Sequence, residues 1–409
     1  MSSSKQLFTD RFLSSCGLAH WGRSFLDRRS SHFLATQKTQ PGLLLLWVVA
    51  AVSAIAQAKA PLETPPAPVS VAPMALQVAV AASVPTDTTV QPGPTPPLPP
   101  VSEKWTQTLN QIVPDPPPPR LVRGTHYVIS NEDRHDLWKA TIEKLGGAYI
   151  GVGTDQNYVL AGWQRPQLLV LFDFDQVVVD LHFVYRAFFL NADSPGEFRA
   201  LWETKNEATA LRLLADCYPN PKQRAQIVAA YKMSRYSVLA RFRKVEGIYK
   251  VHNVSWFLNE PQQYQHLAQL FRAGRVVLVR GDLTVGTSLS SIGAALSALS
   301  VPVNILYLSN AERYFTYTEG FRKSALSLRF GPGAQVLRTR ARPNGVYMYV
   351  VQDAENFQKW TGHPKVSTVY QVTHRMDADP NPGLFYIRKT PEAVVPQIPH
   401  PPSAHLKSK

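Results

Sequence analysis

Cysteine is nearly absent from this chain: two occur in 409 residues, Cys16 and Cys217. Cys16 precedes an apolar run, so export would leave one cysteine on the far side, too few for an intrachain disulfide. Leu13-Ser14-Ser15-Cys16 echoes a lipid-attachment box, but no apolar run precedes it, and that reading is rejected. No His-Glu-x-x-His, Cys-x-x-Cys, Gly-x-Ser-x-Gly or Walker loop occurs. The histidines His126, His135, His182, His252, His266 and His374 lack metal-ligand spacing, so no metal site is expected. Acids are also scarce: 29 Asp and Glu stand against 43 Lys and Arg, a formal charge of +14. A solvated basic surface is the plain reading; an anionic membrane or envelope polymer is the functional one, and no nucleic-acid module is recognisable. A long membrane span is missing too. The longest apolar run, Leu43 to Ala56, falls short of the ~20 residues that cross a bilayer comfortably.

What is present is unevenly distributed. Arg11, Arg23, Arg28, Arg29 and Lys38 precede the apolar run, and Ala54-Ile55-Ala56 and Ala56-Gln57-Ala58 follow as small-residue cleavage patterns. Residues 1–58 are therefore expected to be a signal peptide or an uncleaved N-terminal membrane anchor, with the rest extracytoplasmic, secreted or anchored. Arg28-Arg29 suggests a twin-arginine signal, but the following residues do not match. Half of the 34 prolines lie between Pro61 and Pro119. Residues 59–119 read as a disordered polyproline-rich tether, with a short helix around Trp105, Leu109 and Ile112. A folded domain is expected over 120–389 and a disordered tail over 390–409, with the chain turning proline-rich and loosening into that tail after Asp377.

Within the domain, buried-strand patterns alternate with helical ones. Ala148-Tyr149-Ile150, Gln167 to Phe172, Val276 to Arg280 and Val303 to Leu308 are short apolar runs of the kind buried on both faces. Asn131 reads as an N-cap for a helix through Leu137, Trp138, Ile142 and Leu145, ended by Gly146-Gly147. Val177 to Gly274 is helical in period. Gln335 to Ala341 and Val346 to Val351 flank Pro343-Asn344-Gly345, a hairpin signal. The pattern predicts an α/β, doubly wound, mostly parallel sheet, Rossmann-like and methyltransferase-like, with a helical insertion at about 177–274 and a C-terminal antiparallel hairpin.

In such sheets ligands bind beyond the carboxyl ends of the strands. Four strand ends carry polar residues: Gly151, Gly153, Thr154, Asp155 and Gln156; Asp173 and Asp175; Asp282 with Thr284; and Ser309, Asn310 and Glu312. Glycines let a backbone approach a ligand, and a carboxylate about 20 residues on can accept ribose hydroxyls. This set is the expected cofactor pocket, with Glu312 or Asp155 as general base if the domain is an enzyme. Gly-Val-Gly is only a fragment of the glycine motif, and a strand-to-helix turn capped by Thr154 or Asp155 explains it equally well.

Gly146-Gly147-Ala148-Tyr149-Ile150-Gly151-Val152-Gly153-Thr154-Asp155-Gln156-Asn157-Tyr158, Leu171-Phe172-Asp173-Phe174-Asp175 and Tyr307-Leu308-Ser309-Asn310-Ala311-Glu312-Arg313-Tyr314 carry a resemblance. Over about Arg123 to Asp353 the chain resembles an uncharacterised bacterial family of exported or lipoprotein-like proteins with a degenerate class I methyltransferase-like Rossmann domain. The resemblance implies a fold more than a reaction; the cofactor it implies is S-adenosylmethionine, and the ligand nucleoside-like. That cofactor is cytoplasmic, which conflicts with export. The second expectation is a non-catalytic cell-envelope module turning a basic face to an anionic polymer. Arg338, Arg340 and Arg342 on one strand, and Arg235, Arg241, Arg243 and Lys244 with Tyr236 and Phe242, are the candidate faces.

Overall fold

A computed structural model describes residues 97–342 and 345–393. The expectations for 1–58, for 59–96 and for the tail from 394 onward lie outside the described residues. Eight strands form one sheet: β1 (Ala148–Val152), β2 (Leu168–Asp173), β3 (Val276–Arg280), β4 (Val303–Ser309), β5 (Phe330–Ala341), β6 (Tyr347–Asp353), β7 (Asp377–Ala378) and β8 (Leu384–Ile387). Their order is β3-β2-β1-β4-β5-β6-β8-β7. β3, β2, β1, β4 and β5 run parallel, and β6 turns back antiparallel to β5. The fold is thus α/β with a mostly parallel sheet and an antiparallel C-terminal pair, as the strand pattern predicts.

Side chains alternate across this sheet and feed two cores. Tyr149, Leu169, Leu171, Tyr307 and Leu337 point into one. Ile150, Val170, Phe172, Leu306 and Val336 point into the other. Twelve α-helices accompany the strands among the described residues: α1 (Glu103–Leu109), α2 (Lys139–Ile142), α3 (Gln156–Gln164), α4 (Gln176–Asn191), α5 (Pro195–Ala200), α6 (Glu207–Cys217), α7 (Pro221–Val251), α8 (Pro261–Arg272), α9 (Thr287–Ala298), α10 (Glu319–Ser327), α11 (Ala354–Gly362) and α12 (Val369–Thr373). The first core is closed by α3 and the block α4–α8, which lies between β2 and β3 where the helical insertion is expected. Phe189, Phe198, Trp202 and Phe257 interlock there with ring centroids 4.4–6.4 Å apart. The second core is closed by α1, α9, α10 and α11. Pro195, Pro221 and Pro261 each stand at the first helical position after Ser194, Asn220 and Glu260, whose side chains accept backbone N–H bonds.

Three boundaries differ from the sequence reading. First, 97–119 is part of the folded unit rather than a loose tether. Val101 donates its N–H to Ala273, Arg275 reaches Pro99 and covers Trp105, and Leu109 and Ile112 join the second core. Asp115 is fully buried; it accepts from the backbone N–H groups of Asp282 (2.9 Å) and Ser288 (3.2 Å). Proline content hides this because the contacts are made with residues more than a hundred positions away. Second, Asn131 caps no helix: a 3-10 turn starts at His135 and α2 at Lys139. Ser130 and Glu132 are buried in side-chain bonds that hold this stretch extended. Third, the stretch after Asp377 is not loose, since Leu384–Ile387 pairs along β6 and buries Leu384 and Ile387.

Asp115→Ala should leave two buried N–H groups without acceptors, at about 1–3 kcal/mol each. Urea denaturation at pH 7 should therefore show a loss of about 2–6 kcal/mol. A loss below 1 kcal/mol would mean that 97–119 is not held by this carboxylate.

Candidate functional site

The chain leaves β1 toward β2 on one side and later crosses to β4 on the other, so the sheet changes winding direction between β1 and β4. Open α/β sheets bind ligands at such a point, beyond the carboxyl ends of the strands. A cleft of about 490 Å³ lies there, within the usual range of small-molecule sites. Of the expected residues, Gly153, Thr154, Gln156, Asp173, Asp175, Asp282, Thr284, Ser309 and Asn310 line it; Gly151, Asp155 and Glu312 do not.

The three exceptions have internal work. Gly151 is buried in β1, and a Cβ there would sit 2.1 Å from Asn157 Oδ1 and 2.5 Å from the Tyr149 ring. It is glycine to admit the Tyr149 O–H···Oδ1 Asn157 bond (2.8 Å), not to admit a ligand. Asp155 is 3 % exposed. Its Oδ2 meets Arg241 Nε at 3.0 Å and its Oδ1 accepts the Ser130 N–H at 2.7 Å. Instead of capping α3, it anchors α7 to the β1 turn. Glu312, 2 % exposed, lies 2.7 Å from Arg338 Nε and accepts the Tyr317 hydroxyl. Neither proposed base therefore faces the cleft.

At the cleft floor, the turn after β1 and the end of β2 are locked together. Gly153 has φ +88°, which favours glycine. Its N–H donates to Asp173 Oδ2 (3.1 Å), and Asp173 Oδ1 accepts the Asp175 N–H (2.9 Å). The Thr154 N–H goes to Gln156 Oε1. The N–H groups of Gly153 and Thr154 are thus engaged within the turn rather than open to a phosphate. Burial pushes the Asp173 carboxyl up to about 7, the neighbouring Asp175 charge adding to it against three backbone N–H bonds. Asp175 caps α4 through the Val177 N–H and bonds His126 Nδ1 (2.8 Å).

His182 supports the same turn from below. Its Nε2 is 2.8 Å from the Gly153 carbonyl and its Nδ1 2.8 Å from the Tyr158 hydroxyl. The carbonyl can only accept, so Nε2 carries the proton and the Tyr158 O–H donates to Nδ1. Burial pushes the ring down to about 4, which keeps it neutral.

The remaining walls went unread in the sequence. The stretch from Pro118 to Asn131 forms one side, with Tyr127 facing the cleft; Phe174, Tyr314, Phe315 and Tyr347 supply further aromatic surface. This stretch is pinned by Glu132, which is 1 % exposed. Glu132 accepts from the hydroxyls of Tyr307 (2.6 Å), Ser309 (2.5 Å) and Thr339 (2.6 Å), and from His135 Nε2 (3.1 Å). Burial opposes its charge, but His135 and the Ser309 and Thr339 hydroxyls outweigh it and hold the carboxyl below its ordinary value. Ser309 pays for its place with φ +51°, a conformation that costs a non-glycine residue free energy.

Arg338, Arg235 and Arg241 of the two basic faces are drawn into the fold, while Arg243, Lys244 and Arg342 stay exposed. Arg338 is 1 % exposed. Arg235 pairs with Glu207, and Arg241 and Lys244 pair with Asp133. Among the described residues no cluster of three or more His, Cys, Asp or Glu could hold a metal, and no helix is long and apolar enough to cross a membrane.

The molecule is thus an open-sheet α/β protein with a cleft at its winding switch. The family described as a domain of unknown function (DUF7790) matches residues 127–385, from before β1 into β8, and the chain belongs to it. No curated protein matches the chain.

Asp173 and His182 pull stability in opposite directions. Asp173, raised from 3.8, holds a native proton that the unfolded chain releases, so its contribution is present below pH 3.8 and lost as pH rises through about 7. His182, lowered from 6.5, contributes above pH 6.5 and loses that as pH falls toward about 4. Relative to wild type, His182→Gln should make stability rise more as pH is lowered from 7 to 4, and Asp173→Asn should make it fall more. Denaturation midpoints across that range check both signs; parallel curves for all three proteins would contradict the assignment.

Proposed function

We propose that the cleft binds a nucleoside-like small ligand, with S-adenosylmethionine the first candidate and methyl transfer the reaction class to test. The observation that supports this most is Asp173, standing at the carboxyl end of β2 across from the Gly153 turn. A carboxyl there can accept ribose hydroxyls. The strand order β3-β2-β1-β4-β5 is the one shared by Rossmann-type sheets, which favours the Rossmann-like and methyltransferase-like reading. The aromatic surface of Phe174, Tyr127, Tyr314 and Tyr347 suits the flat face of a base. The engaged N–H groups of Gly153 and Thr154 favour a nucleoside without a pyrophosphate on that turn.

With Asp155 and Glu312 taken up in ion pairs, the chain's own part in a reaction is to bind, orient and exclude water. Asp173, titrating near neutrality, is the carboxyl at the cleft able to hold or release a proton. Bound S-adenosylmethionine would supply the activated methyl group. The basic N-terminus and apolar run support an exported or membrane-tethered protein, where such a cofactor is scarce; the binding test therefore bears on location too.

Isothermal titration of the full chain with S-adenosylmethionine and S-adenosylhomocysteine should give a saturable signal that falls at least about tenfold in affinity in Asp173→Ala, through loss of the ribose hydrogen bonds to that carboxyl. No heat with either ligand, in a protein that unfolds cooperatively, would remove the nucleoside reading.

A further inference from the structure

A second, smaller cavity of about 40 Å³ opens where β4 and β5 end, beside the cleft. It shares Ser309, Asn310 and Arg313 with the cleft, and adds Glu312, Arg338 and Arg340. Arg338 and Arg340 alternate on β5, so both lie on the sheet face toward α11 and α12.

Three cations meet here against one carboxylate. Glu312 Oε2 lies 2.7 Å from Arg338 Nε as an ion pair without hydrogen-bond geometry, and Arg338 Nη1 donates to Gln352 Oε1 at 2.7 Å. Arg338 Nη2 is buried with no hydrogen-bond partner, in a side chain 1 % exposed. An unanswered guanidinium N–H in the interior is costly unless something accepts from it. Arg340 donates Nη1 to Thr373 and lies over the Tyr370 ring, and Arg313 lies over Tyr314; neither meets a carboxylate within ion-pair distance among the described residues. Guanidinium groups converging on a space of one or two small groups match a compact oxyanion in shape and charge.

We infer that Arg313, Arg338 and Arg340 form a binding subsite for a single compact oxyanion, a carboxylate or a phosphate. Because the subsite opens onto the cleft at Ser309 and Asn310, the oxyanion is carried by a molecule that also enters the cleft. That last clause rests on the cleft being a ligand site; the anion subsite itself does not.

The test is calorimetric titration of inorganic phosphate and of acetate into the full chain, with ionic strength held constant by sodium chloride. One of the two should bind saturably, which also tells phosphate from carboxylate. Arg340→Gln, at a half-buried position outside the Glu312 pair, should weaken that binding at least about tenfold, and Arg313→Gln should weaken it as well. Arg338→Met removes the unpartnered donor but risks unfolding, so the first two variants decide. No saturable heat with either anion, or equal affinity in wild type and both variants, would overturn the subsite. Phosphate or acetate binding without any binding of S-adenosylmethionine would leave the subsite standing and remove only the nucleoside reading.

Discussion

The cleft depends on one buried carboxylate. Glu132 gathers hydroxyls from β4 and β5 and the ring of His135, and so fixes a stretch of extended chain against the ends of two strands. Burying a charge this completely is tolerable only because every bond it makes is to a donor that would otherwise need water. The same interaction holds Ser309 in its left-handed conformation, and Ser309 stands on the boundary between the cleft and the arginine cavity. The Arg241–Asp155 ion pair repeats the principle on the other side, joining the helical block to the turn after β1. The two constraints set the cleft walls before any ligand is considered.

The parallel strands were readable from sequence because burial on both faces forces continuous apolar runs, as in Leu168–Phe172 and Val303–Leu308. The helical block was readable from its period and from Pro195 and Pro261 at helix starts. The site was half readable: Asp173, Asp175, Asp282 and Asn310 stand where a strand-end rule puts them. Glu312 and Asp155 satisfy the same rule yet turn to arginines on β5 and α7, partners 26 and 86 residues away in sequence. No local pattern encodes that choice. Gly151 shows the same limit, since a glycine for a ligand and a glycine for Asn157 are written with the same letter.

The basic character of the chain also reads differently once partners are visible. Alternating arginines on β5 predict a charged face, and the strand does present them to one side. Arg338 and Arg340 face helices α11 and α12, onto Glu312, Gln352, Thr373 and aromatic rings, while Arg342 stays exposed. Net charge is a property of the composition; availability of charge is a property of the topology.

The docking of residues 97–119 has a mechanical consequence. A pull along the chain from its N-terminal side meets Val101 and Trp105 beside the start of β3 and then Asp115 at its end, before it reaches the stretch that walls the cleft. These contacts are spread from just before β3 to the loop after it, which carries Asp282. Traction on the chain therefore meets these contacts before it reaches residues 120–131, and the proline-rich look of this stretch conceals an anchorage.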